Sequence, residues 1–278
     1  MEDKNLKITD VEELKRIACN VRKNIIEEVY SAKSGHPGGA LSIADILTVL
    51  YFNQMNLSSQ NPNSNLRDRL VLSKGHAVAA LYGVLAEKGY ITKEELLSFR
   101  KLGSRLQGHP DMEKIEGIDM STGSLGQGLS IANGMALASK MDALGARIYC
   151  IIGDGESEEG QIWEAAMTSS KYKLDNLCVI LDYNKLQIDG TVEEVKGLDM
   201  LYSKWSAFGF NVIQTDGHDI NCLIDSFEKA KMCKNMPSII IAKTIKGKGV
   251  SFMENKVEWH GKAPSEEEYE LAIEELSK

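Results

Sequence analysis

Four of the five histidines, His36, His76, His109 and His218, follow a glycine, and the fifth, His260, precedes one, although only 24 of the 278 residues are glycine. A core histidine needs no such neighbour. An imidazole on a tight loop facing a ligand often has one, because glycine lets the backbone turn sharply or come close, and an imidazole can take or give a proton near neutrality. A second constellation is Gly153-Asp154-Gly155 with Asn184 thirty residues after Asp154. A carboxylate and a carboxamide are hard oxygen ligands that suit Mg²⁺ or Ca²⁺ rather than zinc. The flanking glycines Gly153 and Gly155 let backbone N–H groups approach an anion, and a following helix turns its positive end toward a phosphate. A diphosphate held through a divalent cation fits both halves, and so does an ordinary strand-end turn with a left-handed Asn.

Other chemistries fit less well. The run Gly123 to Gly128 reads Gly-x-x-Gly-x-Gly, not Gly-x-Gly-x-x-Gly, and lacks a clear preceding strand, which weakens a nicotinamide reading. Neither Gly247-Lys248-Gly249 nor Gly261-Lys262-Ala263 supplies the Ser/Thr of a P-loop, and no two histidines stand at zinc-ligand spacing on one helix. The sequence Asp216-Gly217-His218-Asp219 reads as a turn ending in a helix N-cap, making His218 structural.

Alternating elements must position these residues. Val11, Leu14, Ala18, Val21, Ile25 and Val29 recur at helical spacing after a Thr9-Asp10 start, and a second helix is expected over Ser42 to Phe52. Short apolar strands at Leu70–Leu72, Arg147–Ile152, Leu177–Leu181, Phe210–Gln214 and Ser238–Ala242 each end in a polar cluster. Helical stretches lie between most of them, including Ala77 to Lys88 and one through Trp163 to Tyr172. This is α/β grammar: a parallel sheet flanked by helices on both faces, with ligands at the strands' carboxyl ends. One domain over residues 1–278 is expected, with an acidic amphipathic helix at about 265–278 that docks or caps. Three cations after the last strand, Lys243, Lys246 and Lys248, favour an anion nearby.

Composition agrees with a soluble protein. Hydrophobic residues are 43% of the chain, excluding disorder, and the formal net charge of −8 argues against a nucleic-acid binder. No apolar stretch approaches the roughly 20 residues needed to span a bilayer. The cysteines at 19, 150, 178, 222 and 233 form no CxxC pair and the N-terminus is not signal-like, so they read as small hydrophobes in a reducing, cytoplasmic compartment.

Together the motifs resemble those of transketolases, in the same order, from about residue 10 to about 264. They are Ser34-Gly35-His36-Pro37-Gly38-Gly39, Leu72-Ser73-Lys74-Gly75-His76-Ala77, Gln107-Gly108-His109-Pro110 and Ser121 to Leu129. Then follow Gly153-Asp154-Gly155 with Glu159-Gly160, Asp182-Tyr183-Asn184 through Gly190, Asp216-Gly217-His218-Asp219, and Lys243 to Gly249 with Trp259-His260-Gly261. Ser124 matches one branch of that family and not the branch with Pro there.

The resemblance implies the diphosphate-side half of a thiamine diphosphate enzyme. Asp154, Asn184 and the backbone carbonyl of Leu186 would hold the metal, Mg²⁺ or Ca²⁺. Gly155 and His76 would meet the diphosphate, with Lys246 near it. Gly123, Ser124 and Leu125 would line the cofactor, and Ile188 would pack against its thiazolium ring. His36, His109 and His260 would face the substrate's hydroxyls and the reacting carbon. Glu159 would join a carboxylate network between subunits, or stand as a solvated helical glutamate. Nothing after His260 resembles the second transketolase domain, which supplies the glutamate activating the cofactor and a basic pocket for the sugar phosphate. The resemblance therefore implies the N-terminal subunit of a split transketolase of the pentose phosphate type, completed by a separate C-terminal subunit in an α₂β₂ assembly. Alternatives are the α chain of a 2-oxo acid dehydrogenase, which the histidine set disfavours, and a non-catalytic cofactor-binding regulator.

Overall fold

The computed structural model describes residues 7–188 and 190–278; Asp189, within the Asp182–Gly190 motif, lies outside the described residues. Helix α1 (Val11–Ala32) begins at Asp10, whose carboxylate accepts from the Glu12 N–H, and stops at Lys33 in a left-handed conformation. The helix expected over 42–52 is observed as α3 (Ala44–Val49), which runs into a π-helical turn over Leu50–Gln54, and a further short helix, α2 (Pro37–Leu41), precedes it. Pro37 lies in the first turn of α2, where proline is accommodated. The break between the two falls at Ser42-Ile43, where the Ser42 hydroxyl is drawn to Asp182 Oδ2 at 2.6 Å.

The remaining elements are β1 (Arg69–Leu72), α4 (Val78–Lys88), α5 (Gly128–Met141), β2 (Ile148–Gly153), α6 (Gly160–Lys171), β3 (Leu177–Tyr183), β4 (Asn211–Asp216), α7 (Ile220–Met232), β5 (Ser238–Lys243) and α8 (Glu266–Glu275), with shorter helices among them. The strands form one parallel sheet in the order β1-β2-β3-β5-β4. Side chains alternate across it. Tyr149, Ile151, Cys178, Ile180 and Ile240 join the core shared with α1, α3, α4 and α7, whereas Ile148, Cys150, Ile152, Val179, Leu181 and Ile239 join the core shared with α5 and α6. Burial on both faces is why these strands read as unbroken apolar runs.

Strand β3 runs two residues past its expected end, so Asp182 and Tyr183 are strand residues paired with Ala242 and Lys243. Four strands, β1, β2, β3 and β5, are contiguous, and their carboxyl ends supply the loops described next. Strand β4 lies at the edge, and its Asp216-Gly217-His218 turn touches the loop after β5 without lining the cavity at those ends. Helix α8 packs on α1, with Tyr30 and Tyr269 stacked at 4.2 Å between ring centroids. Among the described residues no helix is long and apolar enough to cross a membrane.

Candidate functional site

A cavity of about 410 Å³ opens over the ends of these four strands. Every site residue expected from the sequence except Ser124 lines it: His36, His76, His109, His260, Gly123, Leu125, Gly153, Asp154, Gly155, Glu159, Asn184, Leu186, Ile188 and Lys246. Ser124 is exposed, and its carbonyl accepts from Gln127 N, so it shapes the turn before α5 and does not line the cavity. Glu159 is exposed and precedes the first residue of α6, in the N-cap position and not on the helix itself. Of the three clustered lysines only Lys246 reaches this cavity. Lys243 and Lys248 border a separate depression beside β4, and Lys248 pairs with Glu254.

The histidines come from unconnected segments: His36 from the turn before α2, His76 from a 3₁₀ turn after β1, and His260 from a turn before α8. Their rings form a triangle with centroids 5.3 Å (His36–His76), 5.4 Å (His36–His260) and 5.1 Å (His76–His260) apart. Burial first, then neighbouring cations, holds them neutral. His36 is pushed down to about 4 by burial and Arg100, His260 to about 3 by burial and Lys246, and His76 well below its usual value by burial and Lys74. Less strongly, burial and Arg100 lower His109.

Below the rings lies a polar floor. Asp182 is fully buried and its Oδ2 accepts from Lys74 Nζ (2.6 Å), Ser42 Oγ (2.6 Å) and Asn184 Nδ2 (2.9 Å), while its Oδ1 accepts from the Thr244 hydroxyl. Burial alone would raise its carboxyl, but Lys74 and the hydroxyls outweigh burial and hold it ionised. A carboxylate only accepts, so Asn184 must turn its amide nitrogen to Asp182, leaving Oδ1, which accepts from Leu186 N at 3.1 Å, on the opposite side.

Asp154 accepts from Gly155 N at 2.8 Å and from Lys185 N. Burial, then the nearby Asp182 charge, pushes its pKa up to about 7. A cation at this point would relieve that repulsion, so the residues fit a divalent metal: one carboxylate short of positive charge, one oriented carboxamide oxygen and the Leu186 carbonyl. Among the described residues no three His, Cys, Asp or Glu side chains converge as a metal site. The Leu186 carbonyl accepts from Lys246 Nζ at 3.4 Å, and the same ammonium stands 2.9 Å from His260 Nδ1. Burial and Lys74 bring Lys246 down to about 8, against the pull of Asp154 and Asp182.

Sequence reasoning missed several residues here. Glu156, and not Glu159, is the buried glutamate: it accepts from Ser73 Oγ, from Gly126 N at 2.9 Å and from Gly153 N at 3.0 Å, tying three loops together. Lys74, Asp182 and Arg100 were also missed. Lys74 and Asp182 stood inside quoted motifs as charged residues in or beside apolar strands, a signal that could have found them. Arg100 had no local signal. His218 is a brace, as expected: Nδ1 is 2.8 Å from Asp45 Oδ2 and Nε2 accepts from Ile245 N at 2.8 Å, while Asp219 caps α7.

The fold and this cavity define a thiamine diphosphate-binding domain: the family model described as transketolase, thiamine diphosphate binding domain, matches residues 14–277. A 6-deoxy-6-sulfo-D-fructose transketolase subunit of Clostridium sp. (strain MSTE9) is 49% identical over 266 residues, covering 96% of this chain and 97% of the relative. An apulose-4-phosphate transketolase subunit of Phocaeicola vulgatus is 46% identical over 256 residues, covering 92% and 91%. The crystal structure of transketolase from Campylobacter jejuni superposes with a TM-score of 0.91 at 36% identity, over 97% of this chain and 43% of that one. The chain thus spans about two fifths of that solved transketolase. It belongs to the transketolase family of transferases, as the N-terminal, thiamine diphosphate-binding part.

Proposed function

We propose that this chain is the diphosphate-side subunit of a split transketolase, cytoplasmic and assembled as an α₂β₂ heterotetramer with a separate C-terminal subunit. With thiamine diphosphate and Mg²⁺ or Ca²⁺ it transfers a two-carbon ketol unit from a ketose phosphate to an aldose phosphate, a reaction of the pentose phosphate type. The observation that carries this is that Asp154, Asn184 and Leu186 line the same cavity as a triangle of closely spaced histidine rings. That two similar relatives are themselves called subunits, and match over nearly their whole length, supports the split.

Asp154, Asn184 and Leu186 would hold the cation, and the Gly153–Gly155 turn, His76 and Lys246 would meet the diphosphate. Leu125 and Ile188, exposed at the cavity rim, would pack on the cofactor's ring. Thiamine diphosphate, when bound, supplies the electron sink for cleavage beside a carbonyl. The chain's own residues bind and orient the substrate: His36, His109 and His260 offer ring nitrogens to a row of hydroxyls, and a neutral imidazole takes the proton released from the hydroxyl at C3. The glutamate that activates the cofactor, and the basic pocket for the sugar phosphate, come from the partner.

The test is ketol transfer measured with this chain by itself, the C-terminal chain by itself and the two together, using xylulose 5-phosphate and 6-deoxy-6-sulfo-D-fructose as donors. Activity is expected only in the mixture with cofactor and cation. Robust transfer by this chain without a partner would sink the split assembly, and turnover of pyruvate with neither sugar would sink the transferase reading.

A further inference from the structure

Arg100 lies in the connection between α4 and α5, outside every motif that drew attention to this cavity, yet its guanidinium reaches the cavity wall. It donates from Nη1 to Ser34 Oγ at 2.9 Å and from Nη2 to the Gly108 carbonyl at 3.3 Å. The same Nη2 stands 3.3 Å from His36 Nδ1. Two further features mark this position. Arg100 has φ +57, in the left-handed region that non-glycine residues adopt less often. The guanidinium packs closely on Gly108, where an added Cβ would lie 3.0 Å from Arg100 Nε.

A guanidinium has only donors and keeps its proton at any working pH. Facing it, His36 Nδ1 must accept, so the ring proton sits on Nε2, on the other side of the imidazole next to Gly261. We propose that Arg100 is a positioning residue that fixes His36 as its Nε2–H tautomer, so that His36 serves the reaction as a hydrogen-bond donor to a substrate oxygen and not as the base. The tautomer follows from the geometry alone, whereas its role toward substrate rests on the transketolase reading. Burial and the positive charges of Arg100 and Lys246, with His109 also facing His36, keep the ring from gaining a second proton. Base duty then falls to a ring nitrogen elsewhere in the cavity. A preset donor is what a developing oxygen charge requires, since no proton need be rearranged as the charge forms.

The experiment uses the full chain, labelled with ¹⁵N in its histidines, and two-bond ¹H–¹⁵N correlation spectra between pH 6 and 8, with His36 assigned by its loss in His36→Gln. Wild-type His36 is expected as a single Nε2–H species across this range. Arg100→Met removes the charged donor and should shift the Nδ1–H to Nε2–H ratio about tenfold or more, the size of one hydrogen bond from a charged group. Arg100→Lys, still a cationic donor, should restore the wild-type ratio. An unchanged ratio in folded Arg100→Met overturns the proposal. If that variant does not fold, the wild-type spectrum decides, because an Nδ1–H or doubly protonated His36 at pH 7 overturns it and a lone Nε2–H species supports it. The measurement needs no partner, cofactor or turnover. A failed ketol-transfer assay therefore leaves the tautomer assignment standing, and a different tautomer leaves the transferase reading standing.

Discussion

Glu28, near the C-terminal end of α1, is fully buried, and neither carboxyl oxygen has a hydrogen-bond partner among the described residues. Burial, then the neighbouring Glu27 charge, raises its pKa well above 4.5. In the folded chain it therefore keeps a proton that the unfolded chain gives up above that value, so this group favours unfolding increasingly as pH rises. The loss is about 1.4 kcal/mol per pH unit, beginning near pH 4.5 and ending where the folded carboxyl itself ionises. The buried, unpartnered carboxyl adds a pH-independent cost of about 1–3 kcal/mol. Glu28→Met, similar in length and apolar, removes both. Urea unfolding of the two proteins at pH 5, 6, 7 and 8 is the assay, and comparing them cancels the other titrating groups. The variant should be more stable at every pH, with a margin that widens by about 1.4 kcal/mol per unit over the lower part of the range. A margin that stays flat with pH, or a variant less stable than wild type at pH 8, would refute the reasoning.

Asp154→Ala should weaken binding of thiamine diphosphate with Mg²⁺ to the assembled enzyme by more than about tenfold in calorimetric titration, with the assembly itself intact. Lys74→Met leaves the Asp182 carboxylate with only neutral donors. Breaking this buried 2.6 Å pair should cost about 3 kcal/mol in denaturant unfolding, a loss that a second change, Asp182→Asn, should partly reverse. Gly247 has φ +80, and a Cβ there would lie 2.3 Å from the Met253 carbonyl. Gly247→Ala should therefore destabilise the chain by about 1 kcal/mol or more and shift the ring resonances of His260, which meets Lys246 from that loop.

The sheet was legible because its strands are buried on both faces, so each announces itself as an apolar run closed by polar residues, and parallel pairing puts those closures on one side. Asp154, Asn184 and the glycine-flanked histidines were legible because they stand at such closures or in distinctive short motifs. What escaped was set by contacts across the sequence. Nothing local in Ser42 says that its hydroxyl will meet Asp182. Nothing near Arg100 says that it will fold back onto Ser34, His36 and Gly108. Glu156 and Glu159 look alike in Gly-Glu-Ser-Glu-Glu-Gly, and only the approach of the Gly126 and Ser73 loops decides which one is buried. The lysines after β5 look like one cluster in the sequence, but successive residues of a loop point in different directions, and one of the three reaches the cavity.

The contacts around Asp182 span the chain: Ser42 is 140 residues away in sequence, Lys74 108 and Thr244 62. Strand β5 must also slip between β3 and the earlier-made β4 before Thr244, Lys246 and His260 have a place to stand. Loop closure over such separations is slow and comes late. During synthesis β1 to β4 are all made before the strand that lies between β3 and β4. The cavity needs β5 in place, because Lys246 and His260 both follow that strand, so ligand capture by this chain reports completed topology.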